Sequence, residues 1–212
     1  MECVVLLHGL ARTPRSFNTI EKELIASGYS VVNQGYPSRQ FGIATLANKS
    51  LPKALAKCPQ NAKKIHFVTH SLSGILLRQY LSITTIEKLG HTVMLGPPNQ
   101  GSEVVDKLKG WRFFQAINGP AGTQLGTDAQ AIPMQLPSAN FKVGIIAGRR
   151  SINWILSTMI PGKDDGKVSV ERTKLVGMTD HLVMSVTHPM MMRNKQVIKQ
   201  VKAFLKQGKF LR

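Results

Sequence analysis

Lys64-Ile65-His66-Phe67-Val68-Thr69-His70-Ser71-Leu72-Ser73-Gly74 is the stretch that decides the fold. Residues 64–69 form a run rich in β-formers, and a helical pattern over 72–81 begins with no loop between the two. A strand that turns this sharply into a helix leaves Ser71 at the apex with its hydroxyl exposed. The helix N-terminus then aims positive backbone dipoles at the same point. The competing reading is a serine that merely caps a helix, a common role.

Outward from that turn the same alternation continues. Strands are expected at 3–7, 29–33, 64–69, 92–95, 141–147 and 181–186. Between them lie a helix with Phe17, Ile20, Leu24 and Ile25 at helical spacing, and further helices over 43–57 (Pro52 a possible break), 72–81, 103–117 and 194–207. Strands separated by helices predict an α/β fold, with about six mostly parallel strands flanked by helices. Val4-Val5-Leu6-Leu7 is apolar on both sides, so both faces of the sheet must be covered. The pattern weakens over 99–140, which reads as a small cap or lid, or alternatively as one helix and a long loop. Nothing else divides the chain, so 1–212 is expected to be a single domain.

The chain has 212 residues, 28 Lys and Arg against 11 Asp and Glu, and a net charge of +17. Its 42% hydrophobic content excludes a disordered polycation. No apolar run approaches the roughly 20 residues of a membrane span. The start Met1-Glu2-Cys3 lacks the basic region of a signal peptide, so the sequence as given reads as cytoplasmic, or as exported if a leader has been removed. Neither C-x-x-C nor H-E-x-x-H occurs, and no metal or cofactor is expected. Cys3 and Cys58 read as free, small apolar residues that could pair if the protein is exported. Lys195, Lys199, Lys202, Lys206 and Lys209 form one stripe of the last helix, opposite Val197, Ile198, Val201, Phe204 and Leu205. That stripe is a solvated face or, more sharply read, a surface drawn to anionic lipid. Nucleic acid is a weaker candidate, since aromatics are only 6% and no binding motif is present.

Thr69-His70-Ser71-Leu72-Ser73 resembles the G-x-S-x-G nucleophile elbow of the α/β-hydrolase superfamily, with Thr69 and Ser73 in place of the two glycines. Leu6-Leu7-His8-Gly9-Leu10 resembles the His-Gly loop after the first core strand of small bacterial lipases and esterases. There the resemblance implies that Leu10 N–H and Leu72 N–H form an oxyanion hole, that Gly9 permits the turn, and that His8 is a buried imidazole orienting the loop. Asp164-Asp165-Gly166-Lys167-Val168 resembles the stretch that supplies the acid in such lipases, with Asp165 the better candidate and Asp164 the runner-up; a plain Asp-Gly turn is the alternative. The chain offers only 11 carboxylates in all. His188 follows the sixth strand and returns to the strand ends beside Ser71, whereas His181 precedes that strand and falls at the opposite edge. Leu95-Gly96-Pro97-Pro98-Asn99-Gln100-Gly101-Ser102 is similar to a motif that shapes the pocket wall.

The chain order Ser71, Asp165, His188 is the order of this superfamily. The resemblance spans Val4 to about Phe204 and implies a minimal α/β-hydrolase fold with strand order 2-1-3-4-5-6 and the site at its switch point. It implies a serine hydrolase cleaving carboxylic esters, esterase- or lipase-like, through a Ser71–His188–Asp165 triad. Trp154, Ile155, Leu156, Met159 and Ile160, with Met190, Met191, Met192, Leu10 and Phe17, are expected to favour an apolar acyl group. An acyltransferase using the same residues, or a non-catalytic relative that binds a ligand or partner, are the other readings. The expected partner is a small-molecule ester or lipid, with peripheral contact to an anionic membrane surface as a further expectation.

Overall fold

The computed structural model describes residues 1–152 and 157–212. Six strands form one parallel sheet in the order β2-β1-β3-β4-β5-β6. They are β1 (Cys3–Leu7), β2 (Ser30–Gln34), β3 (Ile65–His70), β4 (Leu89–Leu95), β5 (Val143–Gly148) and β6 (Asp180–Met184). Every residue of β1 and of β5 is buried, as a strand covered on both faces requires. The outermost strands, β2 and β6, are only partly covered and carry the polar Asn33, Gln34 and Asp180.

The alternation of side chains along each strand sorts the core into two layers. Val5, Leu7 and Phe67 point to the face covered by α2 (Ile43–Leu55) and α3 (Leu72–Leu81), where they meet Leu46, Leu51, Ile75 and Leu76. Val4, Leu6 and Val68 point to the other face. There α1 (Asn18–Ala26) contributes Ile20 and Leu24, and the last helix contributes Val197, Val201 and Phe204. The helices α4 (Glu103–Leu108), α5 (Arg112–Thr123) and α6 (Ile132–Gln135) fall in segment 99–140, and α7 (Lys195–Gln207) closes the chain. The Asn194 side chain caps α7 by accepting from the N–H groups of Gln196 and Val197, and Gly208 ends it in the left-handed conformation. Lys195, Lys199, Lys206 and Lys209 face solvent, while Lys202 is half-buried and pairs with Glu23 at 3.4 Å. Among the described residues, no helix is long and apolar enough to cross a membrane.

Several expectations need correction. The helix expected over 103–117 is two helices: Trp111 is extended after Gly110, and α5 itself kinks at Gly119-Pro120. Pro52 does not break α2 but sits within its last turn. Strand β4 starts at Leu89, ahead of the expected 92, because a register shift against β3 absorbs the poor β-formers Gly90 and His91. Arg78, on α3, is buried and ties segment 99–140 to that helix through backbone carbonyls: Asn99 O at 2.9 Å, Leu136 O at 3.1 Å and Pro137 O at 3.3 Å. Burial lowers its pKa to about 10.

Cys3 and Cys58 are not free. They form a disulfide, with Cα atoms 5.9 Å apart. Cys3 opens β1 and faces the α2 layer, and the chain leaving α2 passes beside it. The two lie 55 residues apart in sequence, so their proximity is a product of the tertiary fold. Closing a loop of that length restricts the unfolded chain by up to about 4 kcal/mol. Replacing both cysteines with serine is therefore expected to lower the unfolding free energy by about 2–4 kcal/mol in chemical denaturation; an unchanged midpoint would show that the bond contributes nothing.

Candidate active site

Ser71 joins β3 directly to α3 at φ 56°, ψ −123°, a conformation that residues with a Cβ rarely adopt. Its side chain makes no capping bond to the helix, which removes the capping reading. Neighbours hold the turn instead. The Ser71 N–H donates to Leu95 O at 2.9 Å. The Ser73 hydroxyl donates to Leu7 O at 2.6 Å and accepts from His70 N–H at 2.9 Å, pinning the turn to the end of β1. Ser73, which stands where the superfamily pattern has a glycine, thus has a structural role of its own. Thr69 fits because Gly74 faces it from the helix: a Cβ on Gly74 would come 3.4 Å from Thr69 Oγ1.

The loop after β1 is held by His8. Its Nδ1–H donates to Gly9 O at 2.9 Å, and its Nε2 accepts from Tyr36 N–H at 3.3 Å. The Tyr36 ring stacks on the imidazole at 4.3 Å, and its hydroxyl donates to His8 O. The turn itself is made at Ala11 (φ 53°), not at Gly9. Gly9 serves close approach instead, because a Cβ there would stand 2.8 Å from His70 Nδ1. Leu72 follows Ser71 directly and Leu10 lines the same cavity as Ser71, and neither backbone N–H has a hydrogen-bond partner among the described residues.

Asp165 and His188 meet below this turn. His188 Nδ1 lies 2.7 Å from Asp165 Oδ2, and His188 N–H donates to Asp165 O at 2.9 Å. The other carboxylate oxygen accepts from the N–H groups of Lys167 and Val168, each at 3.0 Å. Asp165 is 1% exposed. Asp164 instead shapes the turn, where its Oδ1 accepts from Gly166 N–H and from the Ser157 hydroxyl. Gly96 makes room for the pair, since a Cβ there would come 2.9 Å from Asp165 Oδ2 and 3.0 Å from His188 Nδ1. His181 lies elsewhere, bonded to Thr173 Oγ1 at 2.9 Å.

Ser71 and His188 share the wall of one cavity of about 510 Å³. Leu10, His70 and Pro98 also line it, as do Val105, Leu108, Phe114 and Leu125 from segment 99–140. The expected lining differs. Met191 and Met192 turn inward and join the core with Phe17, and Met159 and Ile160 do not reach this cavity. Trp154, Ile155 and Leu156 lie outside the described residues.

Sequence reasoning passed over His70, Lys167 and Arg12. The His70 ring lies 4.6 Å from that of His188, and its Nε2–H donates to His188 O at 3.0 Å. The only available signal was its place inside the turn motif. Arg12 and Lys167 also line the cavity. Although Lys167 is exposed overall, its ammonium is desolvated; that, with the Arg12 charge nearby, pushes its pKa down.

No family model matches the chain, and no curated protein matches it in sequence. Solved structures do match in shape. The mature form of lipase BlEst2 from Bacillus licheniformis superposes with a TM-score of 0.76 at 18% identity, covering 99% of this chain and 92% of that one. The metagenomic carboxyl esterase MGS0156 gives 0.67 at 19% identity, over 88% and 64%. Tomato methylketone synthase I gives 0.61 at 16% identity, over 98% and 99%. The chain has the α/β-hydrolase fold, and lipases and esterases are among its structural neighbours. A fold of this kind hosts more than one chemistry, so the function has to be argued from the site.

Desolvation holds the imidazoles of His8, His66, His70 and His181 below their ordinary pKa of 6.5. Once unfolded they regain that value, so below about pH 6.5 the unfolded chain binds more protons than the folded one. Stability is expected to be full above that pH and to fall as the solution is acidified. A urea midpoint at about pH 5.5 that equals or exceeds the midpoint at about pH 7.5 would contradict this.

Proposed function

We propose that the protein is a serine hydrolase that cleaves carboxylic esters bearing an apolar acyl chain. The observation that carries this reading is the 2.7 Å bond between His188 Nδ1 and the buried Asp165, beside a cavity that His188 shares with Ser71. Ser71 attacks the ester carbonyl carbon and forms an acyl-enzyme. His188 takes the serine proton, gives it to the departing alcohol, and then activates water. Asp165 holds the imidazole with Nδ1 protonated and stabilises the imidazolium. The free N–H groups of Leu10 and Leu72 are the donors for the oxyanion; one such donor is worth roughly 2.7–4 kcal/mol in the transition state.

Segment 99–140 is the cap of this site, and its apolar side chains receive the acyl chain. Trp111 and Phe113 stand 64% and 75% exposed near the cavity mouth, which suits a substrate presented from a lipid surface. The Cys3–Cys58 bond supports work in an oxidising compartment.

A p-nitrophenyl ester series of increasing acyl length tests the reading. Hydrolysis is expected, with kcat/KM rising by up to about fourfold per added methylene while the cavity accommodates the chain. Ser71→Ala is expected to lower kcat roughly 10⁶-fold and Asp165→Asn about 10⁴-fold. A Ser71→Ala variant as active as the parent would overturn it.

A further inference from the structure

A second cavity of about 360 Å³ lies directly beside the first. The two are separated by single chain steps: Leu10 and His188 line the first, while Ala11 and Pro189 line the second, and Arg12 belongs to both. Arg12, Arg15 and Arg193 converge on this second cavity, along with the hydroxyl-bearing Thr13 and Ser16. No carboxylate lines it, and none of the three guanidinium groups has a hydrogen-bond or ion-pair partner among the described residues. The left-handed conformation of Ala11, whose N–H donates to Ser38 Oγ at 3.0 Å, sets the course of the chain into Arg12. Three arginines without such partners line one hollow, and each guanidinium can make two parallel bonds to an oxyanion.

The position of the cavity gives the anion a role. In an ester cleavage the general acid must touch the alcohol oxygen that leaves, so the alcohol portion lies on the His188 side of the reacting carbon. The acyl chain occupies the apolar cavity against segment 99–140. The hollow that begins at Pro189, one residue beyond His188, is where the rest of the alcohol portion goes. We propose that this alcohol portion carries a phosphate group, held by Arg12, Arg15 and Arg193, so that the substrate is a phosphate-bearing acyl ester. The inference rests on the serine-hydrolase reading above for its direction, while the anion site itself can be tested without catalysis.

The test is calorimetric binding of two non-hydrolysable ligands with the same alkyl chain: an alkyl-glycerol ether and the phosphate monoester of that ether. Inorganic phosphate alone is the third arm. The phosphorylated ether is expected to bind at least about tenfold more tightly than the neutral ether, and far more tightly than inorganic phosphate. In the Arg15→Gln/Arg193→Gln double variant the preference is expected to shrink to about twofold or less. Both side chains are exposed, so the substitutions leave the core untouched. Equal binding of the two ethers, or a preference that survives in the double variant, overturns the site. Inorganic phosphate binding as tightly as the phosphorylated ether overturns the substrate assignment, because the occupant would then be a free anion. Failure of the ester reading is seen separately, as absent turnover of any ester; failure of this inference is seen as absent charge discrimination in binding.

Discussion

The turn from β3 into α3 is the constraint on which the site depends. A non-glycine residue in the left-handed region costs on the order of 1–3 kcal/mol and persists only where its surroundings over-determine it. Here they do: Ser71 N–H is tied to β4, and Ser73 is tied to β1 and to His70. The turn is therefore welded to both neighbours of β3 in the sheet. Because the strands are parallel, their carboxyl ends share one edge, and the loops carrying Leu10, Ser71, Gly96 and His188 all emerge there. Gly96 then admits the Asp165–His188 pair to within contact of β4.

Charge is distributed with similar economy. The buried Asp165 carboxylate is satisfied on both oxygens, so its negative charge is held in a single orientation beside His188. The histidines around it, His8 and His70, are kept neutral by burial and act as hydrogen-bonding struts. Positive charge is kept at the rim, on Arg12 and Lys167, where it faces the cavity and finds no carboxylate partner within ion-pair distance among the described residues.

The strands were legible because each is a short apolar run bounded by helical periodicity, whereas their order came from the resemblance to the α/β-hydrolases and is the order found. That Ser71, Asp165 and His188 lie toward the carboxyl edge of the sheet could be read from the strands they follow, but their choice as a set came from the resemblance. The structure brings Asp165 and His188 together and sets Ser71 and His188 on one cavity wall. What could not be read depends on tertiary proximity. Cys3 and Cys58 meet only because α2 packs on the face to which Cys3 points. Arg78 finds its carbonyls 21 to 59 residues away, and its role has no local signature. Met190, Met191 and Met192 read as one apolar run, yet a 3-10 turn sends the last two into the core and leaves Met190 half exposed. Gly110 and Gly119-Pro120 broke up the periodicity of the segment that lines the cavity, so its helices blurred into one.

The central claim is that Ser71 is a nucleophile activated by His188. Treating the protein with a fluorophosphonate probe and mapping the adduct by peptide mass spectrometry tests this most directly. The account predicts a single adduct on the peptide containing Ser71, lost in His188→Ala as well as in Ser71→Ala. An adduct on any other residue, or labelling of Ser71 at the parent rate without His188, would contradict it.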